Sequence, residues 1–219
     1  MPRLPRAADA PHDWVSPHRG SVPDMSNYFE RNREIVMDPA VLTHTPEPIR
    51  LASGEMSRDF IDGKLAVADP DDLDWVGAAM FRAASSLGIE FDAVGGLVLG
   101  AVPFTFAVAH AARCKWFMIR KEPKGRGTNR WIEGVRIEPG MRVMIVDDVV
   151  TTGGSIRDAY EHVVEEGGNV VFATTLVDRG DLAAEYFESV KVPYVPMLTY
   201  RDLNITPVGR GSQPAAAAS

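Results

Sequence analysis

Residues 143–155, Val-Met-Ile-Val-Asp-Asp-Val-Val-Thr-Thr-Gly-Gly-Ser, constrain the fold of this chain more than any other segment. An apolar run (143–146) reads as a buried strand and ends in two carboxylates, Asp147 and Asp148. A small polar, glycine-bearing turn follows and leads directly into an amphipathic helix over 155–166. That helix carries Ile156, Ala159, Tyr160, Val163 and Val164 at i, i+3, i+4, i+7 and i+8 and is closed by Gly167. In an open parallel sheet, ligands bind outside the carboxyl ends of the strands. A helix N-terminus there presents unpaired N–H groups and a positive dipole end to an anion. Thr151, Thr152 and Ser155 add hydroxyl donors, and Gly153 and Gly154 let a phosphate approach the backbone. The acids would repel that phosphate, so they suit something beside it, either sugar hydroxyls or a divalent cation. A phosphate next to a vicinal diol describes a ribose 5-phosphate. One acid would suffice to cap the helix; two acids, two threonines and two glycines exceed that need. The absence of a GxxxxGK[ST] pattern disfavours a P-loop nucleotidase.

The flanking pattern extends this unit into an α/β fold. Residues 72–87 are amphipathic and stop at Gly88, 93–99 form an apolar strand, 104–112 a helix and 116–119 a strand. Strands are also expected over 170–177 and 194–198. Strands alternating with helices predict an open parallel sheet with helices on both faces. Residues 27–64 are less periodic and are expected to form a smaller subdomain. Residues 1–26, rich in Pro, Arg and Asp, read as a loosely attached extension in which Met25 is a possible start, and 206–219 as a flexible tail. The expected domain therefore spans 27–205, with a core over 65–205.

Residues 93–112 carry no Asp, Glu, Lys or Arg and are long enough for a membrane span. Three glycines and Pro103 divide them, so strand, turn and helix is the better reading and no span is expected. With no signal-peptide pattern, the expected location is the cytoplasm. The only cysteine, Cys114, excludes an internal disulfide, and no Cys/His cluster has metal-ligand spacing. Trp75, Trp116 and Phe106 read as core, His110 and His162 as surface or satisfied histidines, and Cys114 as a small buried hydrophobe.

A formal charge of −7 argues against nucleic acid or an anionic membrane as a partner. The average hides a change of sign. Residues 115–136 hold Lys115, Arg120, Lys121, Lys124, Arg126, Arg130 and Arg136 against Glu122 and Glu133, a local +5 within a remainder of −12. Most of these cations lie on a glycine-rich loop (121–134) between two strands. If those strands are parallel, the loop shares the sheet end of the acidic turn. Cations on a closing loop would favour departure of a pyrophosphate from a sugar.

At this point a family resemblance becomes specific. Residues 143–155 resemble the 5-phosphoribosyl 1-pyrophosphate (PRPP) binding motif of the type I phosphoribosyltransferases. The resemblance implies that Asp147 and Asp148 contact the ribose hydroxyls and that the loop from Val149 and Val150 through Thr151, Thr152, Gly153, Gly154 and Ser155 holds the 5-phosphate. Residues 120–134 resemble the catalytic loop of orotate phosphoribosyltransferases, which reaches into the neighbouring subunit's site of a homodimer. Arg120, Lys121 and Lys124 match that family's pyrophosphate-binding positions. Its usual Asp-His-Gly is Gly125-Arg126-Gly127 here; Arg126 can bind pyrophosphate but cannot serve as a general acid near neutral pH. Residues 51–62 resemble the family's N-terminal hood, with Phe60 at the aromatic position lining the base pocket and Ala52 where many members have lysine. Arg179 matches the arginine that pairs with the orotate carboxylate, a contact suited to a planar guanidinium, and Thr151 falls beside the base. Residues 95–103 resemble a glycine turn contacting pyrophosphate through backbone amides, with Gly100 where a lysine variant occurs.

The resemblance implies an Mg²⁺-dependent transfer of the phosphoribosyl group from PRPP to orotate, with Lys121, Lys124, Arg126, Asp147 and Asp148 as the catalytic set. The cation would be held mostly by substrate oxygens and water. Ala52, Gly100 and the altered loop leave two alternatives: a different heterocyclic acceptor, or a PRPP-binding regulator without catalysis.

Overall fold

The computed structural model describes residues 25–122 and 131–209. Two sheets are present. A six-stranded sheet has the order β5-β4-β3-β6-β7-β8, from β3 (Ala93–Leu97), β4 (Lys115–Ile119), β5 (Ile132–Gly134), β6 (Arg142–Val150), β7 (Asn169–Asp178) and β8 (Leu198–Thr199). All neighbours are parallel except β5, which runs antiparallel to β4. A separate antiparallel hairpin joins β1 (Leu42–Arg50) to β2 (Met56–Ile61).

Along β6 the side chains alternate between two cores. Met144 and Val146 enter a cluster with α1 (Met25–Val36), α3 (Pro70–Ser86) and α4 (Val102–Ala112). Val143 and Ile145 enter the opposite cluster, with α5 (Gly154–Glu165) and α6 (Leu182–Ser189). This two-residue period fixes the register of the central strand and sends consecutive acids to opposite faces. Asp148 follows Val146 to the face where the short helix α2 (Gly63–Ala66) lies.

Several expectations shift. The helix expected over 72–87 begins at Pro70, because Asp69 caps it by accepting a bond from the N–H of Asp71 at 2.9 Å. The strand expected over 93–99 ends at Leu97, and the turn after it contains a cis Val98–Leu99 peptide. Pro103 sits in the first turn of α4, where its missing N–H costs nothing. No described helix is long and apolar enough to cross a membrane. The strand expected over 194–198 reduces to a bridge at Tyr194 and the two residues of β8. Residues 27–64, read as less periodic, hold the hairpin and all but the first two residues of α1; Tyr28, Ile35 and Val36 of α1 are buried. Phe106 and Trp116 are not core. They are 41% and 36% exposed and meet edge to face at 4.9 Å. Cys114 packs against the first core, and burial pushes its thiol up to about 11.

Candidate active site

Strand β6 runs to Val150, four residues beyond the expected end, so both acids lie within the strand and the turn proper begins at Thr151. The α5 helix starts immediately after Gly153, which as the N-cap residue offers no side-chain bond to its first N–H groups. Those donors face outward at the sheet end where β3 and β4 also finish, since β3 is parallel to both β4 and β6. The parallel strands put the stem of the basic loop beside the acidic turn.

A cleft of about 1030 Å³ opens at this end. It is lined by every expected site residue among those described: Phe60, Arg120, Lys121, all of residues 147–155, and Arg179. Lys124 and Arg126 lie outside the described residues. The cleft also takes in Ala52, Gly100, Lys64 and Glu133.

Asp147 is buried and accepts the N–H of Asp148 at 2.9 Å. Burial, then the neighbouring Asp148 charge, push its carboxyl well above the usual range. Asp148 accepts its own neighbour's N–H, from Val149, at 2.8 Å. Thr175 donates to the Asp148 carbonyl at 2.8 Å and ties the strand end to β7. Gly100 explains itself here: a Cβ at that position would stand 2.5 Å from Oδ1 of Asp148. The turn after β3 and the second acid fill one space, so a side chain at this position would require the Asp148 carboxylate to shift.

Arg179 is fully buried and is held by the hairpin. Its Nη1 donates to the Asp59 carbonyl and its Nη2 to Oγ of Ser57, each at 2.9 Å, and its Nε has no partner among the described residues. Burial lowers its proton affinity and the Asp59 charge restores part of it. Strand β2 alternates so that Ser57, Asp59 and Ile61 point inward while Phe60 stays 42% exposed on the cleft wall. Ser57, Asp59 and Lys64 were not singled out by sequence. The polar, inward positions of β2 are the signal that was available, because buried polar groups require partners.

The loop stem is anchored on both sides. The N–H of Arg120 donates to the Trp131 carbonyl at 2.8 Å, and its guanidinium reaches Glu133 at 3.6 Å. Trp131 stacks on His162 of α5, with centroids 4.4 Å apart. Part of the expected loop is thus the edge strand β5, which pairs with β4. Among the described residues no three His, Cys, Asp or Glu side chains are grouped as a metal site.

Comparison with known proteins agrees with this fold. A profile of the phosphoribosyl transferase domain matches residues 71–193. The orotate phosphoribosyltransferase of Methanothermobacter thermautotrophicus is 40% identical over 154 residues, 70% of this chain and 83% of that protein. The crystal structure of Mycobacterium tuberculosis orotate phosphoribosyltransferase in complex with Fe(III) dicitrate is 32% identical with a TM-score of 0.67, over 84% of this chain and 100% of that one. The same enzyme in complex with PRPP is 29% identical with a TM-score of 0.61, over 84% and 93%. From the domain profile and from relatives matched over most of their length, the chain belongs to the phosphoribosyl transferase family and, within it, to the orotate phosphoribosyltransferases.

Proposed function

We propose that this chain transfers the 5-phosphoribosyl group of PRPP to orotate, giving orotidine 5′-phosphate and pyrophosphate, as a step of pyrimidine nucleotide synthesis in the cytoplasm. The observation that carries the choice of acceptor is Arg179. A buried guanidinium at the cleft wall, with an Nε that has no partner among the described residues, can donate to a planar carboxylate. Phe60 would stack beside the ring and Thr151 close its edge. The 5-phosphate would sit on the turn of residues 151–155, against the first N–H groups of α5.

Asp148, the less buried acid, would accept from one ribose hydroxyl, and Asp147 from the second. As the anomeric C–O bond breaks, positive charge grows on the ribose and negative charge on the pyrophosphate. Arg120 and Lys121 at the stem, with Lys124 and Arg126 on the loop, would stabilise the departing anion. The donor set fits Mg²⁺: Asp147 and Asp148 would offer it carboxylate oxygens beside the bound sugar, and the ion would enter with PRPP. When bound, Mg²⁺ would offset charge on the pyrophosphate. We place the active form as a homodimer in which the basic loop completes the partner's site.

Incubation with PRPP, Mg²⁺ and a panel of bases tests the reading. Orotate should be consumed with stoichiometric pyrophosphate release, and Lys124→Ala should lower kcat by ~10²-fold or more without altering the fold. Turnover of a non-orotate base alone would overturn the acceptor, PRPP binding without any turnover would overturn catalysis, and near-normal kcat in Lys124→Ala would overturn the role of the loop.

A further inference from the structure

Lys64 has no part in the reading above, yet its placement ties the hood to the paired acids. Its ammonium lies 3.7 Å from Oδ2 of Asp148 and 3.6 Å from Oδ1 of Asp62. Asp62 is also the N-cap of α2, accepting the N–H groups of Lys64 and Leu65 at 3.2 Å each. One carboxylate thus fixes the start of the helix and draws its lysine toward the cleft. Close approach of α2 is built in as well: a Cβ at Gly63 would stand 2.8 Å from Cβ of Asp148. Asp148 is consequently enclosed, with Gly100 against Oδ1 and Lys64 against Oδ2.

The electrostatic problem at this point is plain. PRPP is a polyanion, and it must approach two adjacent carboxylates. Arg120 and Lys121 stand at the loop stem and Arg179 is buried under the hairpin, whereas Lys64 is in ion-pair range of Asp148 itself. Its side chain is 55% exposed, so the pair adds little to folding stability. The same pair gains strength once a ligand covers it and excludes water.

We propose that Lys64 is a positioning residue for sugar-phosphate recognition: it holds the Asp148 carboxylate toward the ribose hydroxyls and offsets the repulsion that the acids exert on the incoming polyanion. This deepens the PRPP reading and rests on it. Because α2 follows directly on the strand carrying Phe60, the base wall and the lysine that pairs with the sugar-binding acid share one short segment of chain.

Calorimetric titration of Mg²⁺-PRPP into the full chain tests the proposal without requiring turnover. Lys64→Met, and Lys64→Gln as a second variant, should weaken binding about tenfold, with unchanged thermal unfolding, and Lys64→Arg should restore most of it. In an Asp148→Asn background, Lys64→Met should change affinity by less than about twofold, because the carboxylate it serves has lost its charge. Binding within about twofold of the parent for Lys64→Met would overturn the proposal and leave the transferase reading intact. A full loss persisting in the Asp148→Asn background would overturn it too, since Lys64 would then act on the ligand directly. A parent chain that failed to bind Mg²⁺-PRPP would remove both readings.

Discussion

Asp178 and Arg179 are adjacent in sequence, and a simple reading has the arginine neutralise the aspartate. The donors of Arg179 go instead to Ser57 and to the Asp59 carbonyl. Asp178 is left with the N–H of Gly180 at 3.1 Å and the hydroxyl of Tyr194 at 3.0 Å. Burial outweighs both bonds and pushes its carboxyl up to about 6. A carboxyl raised in the folded state binds its proton more tightly there than in the unfolded chain. Its contribution to stability is therefore complete below the unfolded value near 4 and is lost as pH rises through about 6. Asp178→Asn should remove that loss, on the order of 2 kcal/mol. Urea unfolding at pH 4.5 and 7.5 (~3 units apart on the scale where the linkage acts) should show the variant gaining on the parent at the higher pH. An identical difference at both would refute the assignment. The family resemblance nominated Arg179 for the base pocket; the sequence could not say which groups would take up its donors, because those lie about 120 residues away on the hairpin.

At the scale of elements, legibility followed length and periodicity. Helices α3 and α5 were readable because long apolar stripes and their stops are local. Strand β5 was not, since three residues ending a glycine-rich stretch carry no period, and its strand character comes from pairing with β4. Strand β2 was obscured for a functional reason: it turns Ser57 and Asp59 inward to meet Arg179 and leaves Phe60 out, against the ordinary apolar-in pattern. The turn between β3 and α4 supplies a prediction at this scale. Gly100→Ala keeps an allowed backbone but places a methyl against Asp148, so the carboxylate must move. A displacement of that kind should raise KM for PRPP by about tenfold or more, with a smaller effect on KM for the base. Steady-state kinetics with each substrate varied would check it, and unchanged PRPP kinetics would show that the turn can yield.

For the whole molecule, the decisive question is whether one chain completes its own site. If the basic loop serves a partner, light scattering should return twice the chain mass. Mixing two inactive variants, Lys124→Ala and Asp148→Asn, should then recover up to about a quarter of parent activity, because half the dimers are hybrids with one intact site of two. No recovery after subunit exchange would mean that loop and acids act within one chain. The acidic average of −7 said little about any of this; the local change of sign on the loop mattered more. What the sequence determined by itself was contiguous: a strand, acid pair, turn and helix over residues 143–166, which the structure bears out with shifted ends, and with them the expectation of a ribose-phosphate site. What only the tertiary structure decided was long-range: the seating of Arg179 under the hairpin, the enclosure of Asp148 between Gly100 and Lys64, and the antiparallel edge. Periodicity and turn chemistry are local properties of a chain, whereas the partners of a buried charge are chosen by packing between segments far apart in sequence.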